Sequence, residues 1–151
     1  MEVMEYVKLI HGIVALLFLI VLLISIIRAV LKKIPNIRKD IFLTLTLILA
    51  HIQLLIGLIL LIKYYHTLGT NSVDFATIMK NAPIRNSAIE HPLANLIGVI
   101  LITYGKGKAK NIAEASFRKA NKTIIIYFTI SLLFIGLTTW EKLRIFLTNM
   151  F

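Results

Sequence analysis

The sequence predicts an all-α polytopic membrane protein, a four-helix transmembrane bundle with short amphipathic interfacial segments. Three observations carry that prediction. Hydrophobic residues make up 58% of the 151, against roughly 45–50% in soluble domains, and mean hydropathy is +0.87. So apolar a chain of this size has too little polar surface to cover a water-soluble globule. Its apolar residues gather into four runs, each close to the ~20 residues that cross a bilayer core. Its basic residues gather into two of the three connections between those runs.

The first run, Leu9 to Ile27, is interrupted only by His11, Gly12 and Ser25. It is too long for a signal-peptide core, and Arg28, Lys32 and Lys33 follow it where a cleavage site of small residues would stand, so it is expected to remain. The second, Ile41 to Ile62, carries His51, Gln53 and Gly57. The third, from about Ser87 to Tyr104, is the least hydrophobic, and Thr123 to Trp140 forms the fourth. With flanking turns the expected spans are about 7–31, 41–64, 87–105 and 123–141, in a single membrane domain across 1–151. Ser87 and Glu90 fit a capping box at the start of the third. Pro92 then removes one backbone donor and leaves a free carbonyl beside His91.

The 65–86 connection places Phe75, Ile78, Met79 and Ala82 on one helical face, and the tail repeats the spacing with Leu143, Phe146, Leu147 and Met150. Both are expected to be interfacial helices, as anchors rather than lids.

Charge sets the orientation. The first-to-second and third-to-fourth connections hold eleven Lys and Arg against Asp40 and Glu114, net +9, whereas the other side is net +1. Basic loops stay cytoplasmic, so both termini are expected outside. Tyr64, Tyr65 and Trp140 then fall at the outer ends, and Tyr104 and Tyr127 near the inner ends, as an aromatic belt requires. The net charge of +10 reads as topology and anionic-lipid contact, not nucleic-acid binding.

With no cysteine, disulfides, thiolate metal sites, iron–sulfur clusters and c-type haem attachment are excluded. No nucleophile–base pair, phosphate loop or paired carboxylates are discernible, which argues against a stand-alone hydrolytic enzyme. No buried carboxylate is expected within a span, since Glu90 stands at an end and Asp40 on the cytoplasmic boundary, which weighs against a proton-coupled carrier.

Ionisable groups inside a span are functional candidates. His11 and His91 each lie about one turn inside the outer end of their helices, at equal expected depth. Two imidazoles at one level on different helices are what bis-histidine ligation of a b-type haem needs, so both are candidate metal ligands. His51 is expected roughly 9 Å deeper, as a secondary ligand or a polar contact to a quinone or haem edge. Asn95 and Gln53 are candidates for orienting imidazoles or propionates. His66 is read as solvated.

At 100° per residue, His11, Ala15, Phe18, Leu22, Ser25 and Ala29 form one stripe; His91, Asn95, Gly98 and Ile102 another; Thr46, Ala50, Gln53 and Gly57 a third. His51 and Thr44 lie about 140° away from Gln53. Thr129 and Gly136 supply the small face expected on the fourth helix. A plainer reading of Glu90-His91-Pro92 is a helix terminus at the interface. A plainer reading of His51 is an interhelical hydrogen bond.

The run Leu49-Ala50-His51-Ile52-Gln53-Leu54-Leu55-Ile56-Gly57-Leu58, with Glu90-His91-Pro92-Leu93 and Ile100-Leu101-Ile102-Thr103-Tyr104-Gly105, resembles small four-span membrane proteins of Bacteroidota labelled as cytochrome b. The resemblance covers most of the chain and implies a bacterial inner-membrane protein that binds haem b and transfers electrons near the periplasmic face. The histidines of that family are matched by His11, His51 and His91. Its fourth span starts with a basic, histidine-containing stretch, where this chain has Arg118-Lys119-Ala120-Asn121-Lys122, which implies one haem or none rather than two. The competing expectation is a non-catalytic accessory subunit of a larger membrane complex, with the histidines as interhelical hydrogen-bond donors.

Overall fold

A computed structural model describes residues 3–112 and 116–150, the side chains of 140–147, 149 and 150 apart. The expected aromatic position of Trp140, the apolar face of the tail, and Glu2 and Glu114 lie outside the described side chains. The elements are α1 (Val3–Val30), α2 (Ile41–Thr70), α3 (Phe75–Lys80), α4 (Ala82–Arg85), a π-helical turn (Asn86–Glu90), α5 (His91–Lys110) and α6 (Phe117–Met150). Among the described residues four helical stretches, Val3–Val30, Ile41–Thr70, Ala82–Lys110 and Phe117–Thr139, are long and apolar enough to cross a membrane. They run up and down in turn, α1 and α2 packing as one antiparallel pair and α5 and α6 as another, with α1 on α6 and α2 on α5 closing the ring.

In a bilayer, lipid and core are equally apolar, so the inner faces are set by small and polar residues that let helices approach. The α1 stripe turns inward at Phe18, Leu22, Ser25 and Ala29, and the α2 stripe at Thr46, Ala50 and Gln53. Ser25 and Thr46 hydrogen-bond across that contact at 2.9 Å. On α5 the inward residues are Ala94, Gly98, Ile102, Gly105 and Ala109. Gly98 and Gly105 bring α5 against α6 so closely that a Cβ would stand 2.6 Å from Ile135 Cδ1 and 2.5 Å from Tyr127 Cβ. Ser131 Oγ closes the same contact by donating to the Gly98 carbonyl at 3.0 Å.

The expected small face of α6 is corrected. Among its described side chains the buried ones are Ala120, Asn121, Ile124, Phe128, Ser131, Ile135 and Thr139, while a Cβ on Gly136 would meet nothing within 4 Å. Large aliphatic and aromatic groups face the core here, and composition alone does not separate them from lipid-facing ones.

The start of the third span is corrected too. Helix begins at Ala82, where Asn81 Oδ1 accepts from the Ile84 amide at 3.2 Å. Ser87 and Glu90 therefore sit within continuous helix and form no capping box. Glu90 instead accepts from Arg85 Nε at 2.7 Å and from Asn86 Nδ2 at 3.4 Å. The expected interfacial helix is split into α3 and α4. Ile78 alone of its four apolar residues is buried, against Leu68 and Ala88, whereas Phe75 and Met79 stay 68% and 43% exposed. His66 is exposed on the last turns of α2 rather than in a loop.

At the end holding the two basic connections, Asp40 caps α2 by accepting from the Leu43 amide at 3.0 Å and pairs with Arg28 at 2.8 Å. Lys106 Nζ donates to Thr44 Oγ1 at 2.9 Å, and Asn121 Nδ2 to the Ile34 carbonyl at 2.9 Å. Helices α1 and α2 both stop in Schellman turns whose left-handed residue is not glycine: Lys32 at φ 54° and Ser72 at φ 53°.

Candidate functional site

At the opposite end, near the chain termini, all four long helices contribute to one polar cluster. His11 from α1 and His91 from α5 face each other with ring centres 6.5 Å apart and planes inclined at 76°. Both are half-buried. Gln53 reaches from α2, and its Nε2 lies 3.1 Å from both Nδ1 and Nε2 of His11. An atom equidistant from both nitrogens at that range cannot lie in the ring plane without overlapping Cε1 or the Cγ–Cδ2 bond. The amide therefore stands over the imidazole face.

Asn95, one turn along α5, treats His91 in the same manner: its Nδ2 is 3.2 and 3.4 Å from the two ring nitrogens and also donates to the His91 carbonyl at 2.7 Å. Thr139 from α6 completes the ring of contacts, with Oγ1 3.4 Å from His91 Nδ1. Behind His11, Gly57 leaves room for the imidazole, since a Cβ there would be 3.3 Å from Cε1. Gln53 is only 8% exposed, yet its Oε1 is buried without a hydrogen-bond partner. An acceptor stranded at such a depth costs about 1–3 kcal/mol, so the cluster presents an acceptor suited to a donor from outside the chain.

His91 owes its place to the turn before it. Its amide bonds to the Asn86 carbonyl, five residues back, which widens the helix into the π-turn. Pro92 has no N–H for either Ser87 or Ala88. The Ala88 carbonyl takes its donor from α2 instead, the Tyr65 hydroxyl at 2.9 Å. The carbonyl expected to be free beside the proline is thus held by a neighbouring helix, and π-turns of this sort recur at functional positions.

The structure therefore brings together four of the five expected site residues, His11, His91, Gln53 and Asn95. It sets His51 apart. That side chain lies on the exposed face of α2 and bonds its Nδ1 to the Leu47 carbonyl of its own helix at 2.7 Å. This agrees with its angular distance from Gln53 and does not support a share in the cluster. Thr139 and Tyr65 were not anticipated. Thr139 could have been found from the Ser131, Ile135, Thr139 spacing on α6. Tyr65 could have been found by asking which donor replaces the missing Pro92 N–H.

Among the described residues no group of three or more His, Asp or Glu side chains is arranged to hold a metal ion. The imidazole pair offers two ring-nitrogen donors from different helices. One metal ion bound at about 2 Å to a nitrogen of each ring would hold the ring centres about 6 Å apart, close to the spacing present. Two protein ligands suit a macrocycle that supplies the remaining positions itself. No family model, curated protein or solved structure matches the chain.

Proposed function

We propose that this chain is a membrane-embedded b-type haem protein that transfers electrons, with His11 and His91 as the axial ligands. The observation that carries the reading is the meeting of two imidazoles from separate helices at 6.5 Å. Gln53 and Asn95, lying over the two ring faces, would fix ring orientation. A bound haem supplies one-electron chemistry through its iron. The chain's own part is to hold that group between two fixed rings and to exclude water with the surrounding apolar helices. With basic loops inside, the site lies near the outer face, in keeping with the resemblance to bacterial inner-membrane cytochromes.

The test is the absorption spectrum of full-length protein purified from haem-replete cells. Reduced-minus-oxidised bands of low-spin haem are expected, lost in His11→Ala and in His91→Ala and retained in His51→Ala. Colourless wild-type protein, or bands that survive both cluster substitutions, would overturn the reading.

One observation favours a second reading, an accessory subunit of a larger membrane complex. Gln53 of α2 lies on His11 of α1 and Thr139 of α6 on His91 of α5, so the cluster also works as an interhelical lock, worth about 1 kcal/mol per contact. On that reading, mild-detergent purification returns colourless protein together with stoichiometric partners.

A further inference from the structure

The end of the bundle remote from the histidines carries a cleft of about 220 Å³ between the 31–40 connection and the facing ends of α5 and α6. Its lining is mixed: Ile37, Ala109, Ile112 and Phe117 are apolar, and Asn36, Arg38, Lys110 and Asn111 are polar or charged. Arg38 joins the two connections by donating Nε to the Lys110 carbonyl at 3.3 Å. That bond uses one of five guanidinium N–H donors.

No carboxylate lines the cleft among the described residues. Asp40, close by in the chain, is buried and held by Arg28 at 2.8 Å, so it does not neutralise Arg38. Lys39, Arg118 and Lys119 stand exposed around it, and the two connections together are net +9. The volume equals about seven waters at roughly 30 Å³ each, enough for a phosphodiester with its glycerol. Phe117, 36% exposed, is the apolar lining residue open to acyl chains at the start of α6.

We infer that this cleft binds one anionic phospholipid, its phosphodiester between Arg38 and Lys110 and its glycerol and upper acyl carbons along Ile37, Ile112 and Phe117. Charge complementarity selects the headgroup, and the mixed apolar and basic lining selects an amphiphile over a free anion. The site is independent of the haem reading, since it shares no residue with the histidine cluster and lies at the other end of the bundle.

The test titrates detergent-purified full-length protein with short-chain phosphatidylglycerol, short-chain phosphatidylcholine and inorganic phosphate, counting adducts by native mass spectrometry. One saturable phosphatidylglycerol adduct is expected, weakened about tenfold or more in the double variant Arg38→Gln, Lys110→Gln. The control Lys32→Gln, Lys33→Gln removes the same charge outside the cleft lining and should weaken binding several-fold less than the cleft variant. Arg38→Lys, which keeps the charge, should retain binding, so the site stays testable if the double variant fails to fold. Equal losses in the two double variants would overturn the inference in favour of diffuse attraction. Equal binding of phosphatidylcholine would overturn charge selection, and phosphate binding as tightly as the lipid would overturn the amphiphile.

Discussion

Replacing Tyr65 by Phe removes one hydroxyl and leaves the ring in place, so it isolates the bond that stands in for the missing Pro92 donor. Ala88 is 3% exposed, and its carbonyl loses a 2.9 Å partner. A buried acceptor left unmet costs about 1–3 kcal/mol, while interhelical hydrogen bonds in membrane bundles average about 0.6 and reach about 1.7 kcal/mol. Tyr65 is 44% exposed near a helix end, which favours the lower part of both ranges, and the expected loss is about 1 kcal/mol. The assay is reversible unfolding in mixed detergent micelles.

In the Pro92→Ala background an N–H returns to the turn and competes for the same carbonyl. There Tyr65→Phe should cost less than about 0.5 kcal/mol, giving a clear coupling in the double-mutant cycle. Equal costs in the two backgrounds would refute the account of the π-turn as a proline gap filled from α2.

Two further outcomes follow from the contacts. Gly105→Ala should destabilise by about 1–3 kcal/mol, because the new methyl meets Tyr127 Cβ, which is anchored to backbone. Gly98→Ala should cost less, because it mainly meets the movable end of Ile135. A reversed order in the same unfolding assay would contradict this packing. At the membrane surface, Asp74 caps α3 by accepting from the Thr77 amide at 2.8 Å, and Thr77 holds its carboxyl below the ordinary value of 3.8. A depressed carboxylate contributes stability above its ordinary pKa and loses it as pH falls through the folded value. Hydrogen-exchange protection of the Thr77 amide should therefore persist from neutral pH down past 3.8 and vanish only in stronger acid; its loss above that value would count against the cap.

Much of the bundle is legible in the residues because a membrane reverses the usual signal. With apolar side chains on every face, the inward stripe is marked by small and polar groups. That mark identified Ser25 and Ala29 on α1, Thr46, Ala50 and Gln53 on α2, and Gly98 on α5. On α6 the expected stripe of Thr129 and Gly136 was the wrong one: Asn121, Ser131 and Thr139 turn inward together with Ile124, Phe128 and Ile135, and nothing local distinguishes the last three from Leu133 or Leu137.

Local motifs failed where the surrounding chain had already decided the conformation. Ser87 and Glu90 match a capping box, but Asn81 starts the helix earlier, and Arg85 then offers Glu90 a charged partner at 2.7 Å. The ends of α1 and α2 gave no glycine to read, because Lys32 and Ser72 take the left-handed turn themselves.

Composition and periodicity alone determine that four helices are long and apolar enough to cross a bilayer, and which connections carry the positive charge, because both depend only on the order of residues. They also put His11 and His91 at matching depth, since rise per residue is constant. Only the tertiary structure decides that these two rings meet while His51 turns outward. The rotation of a helix about its own axis is set by what the other helices press against it. Gly57 makes room for His11, Tyr65 holds the turn before His91, and those partners lie 46 and 26 residues away in the chain.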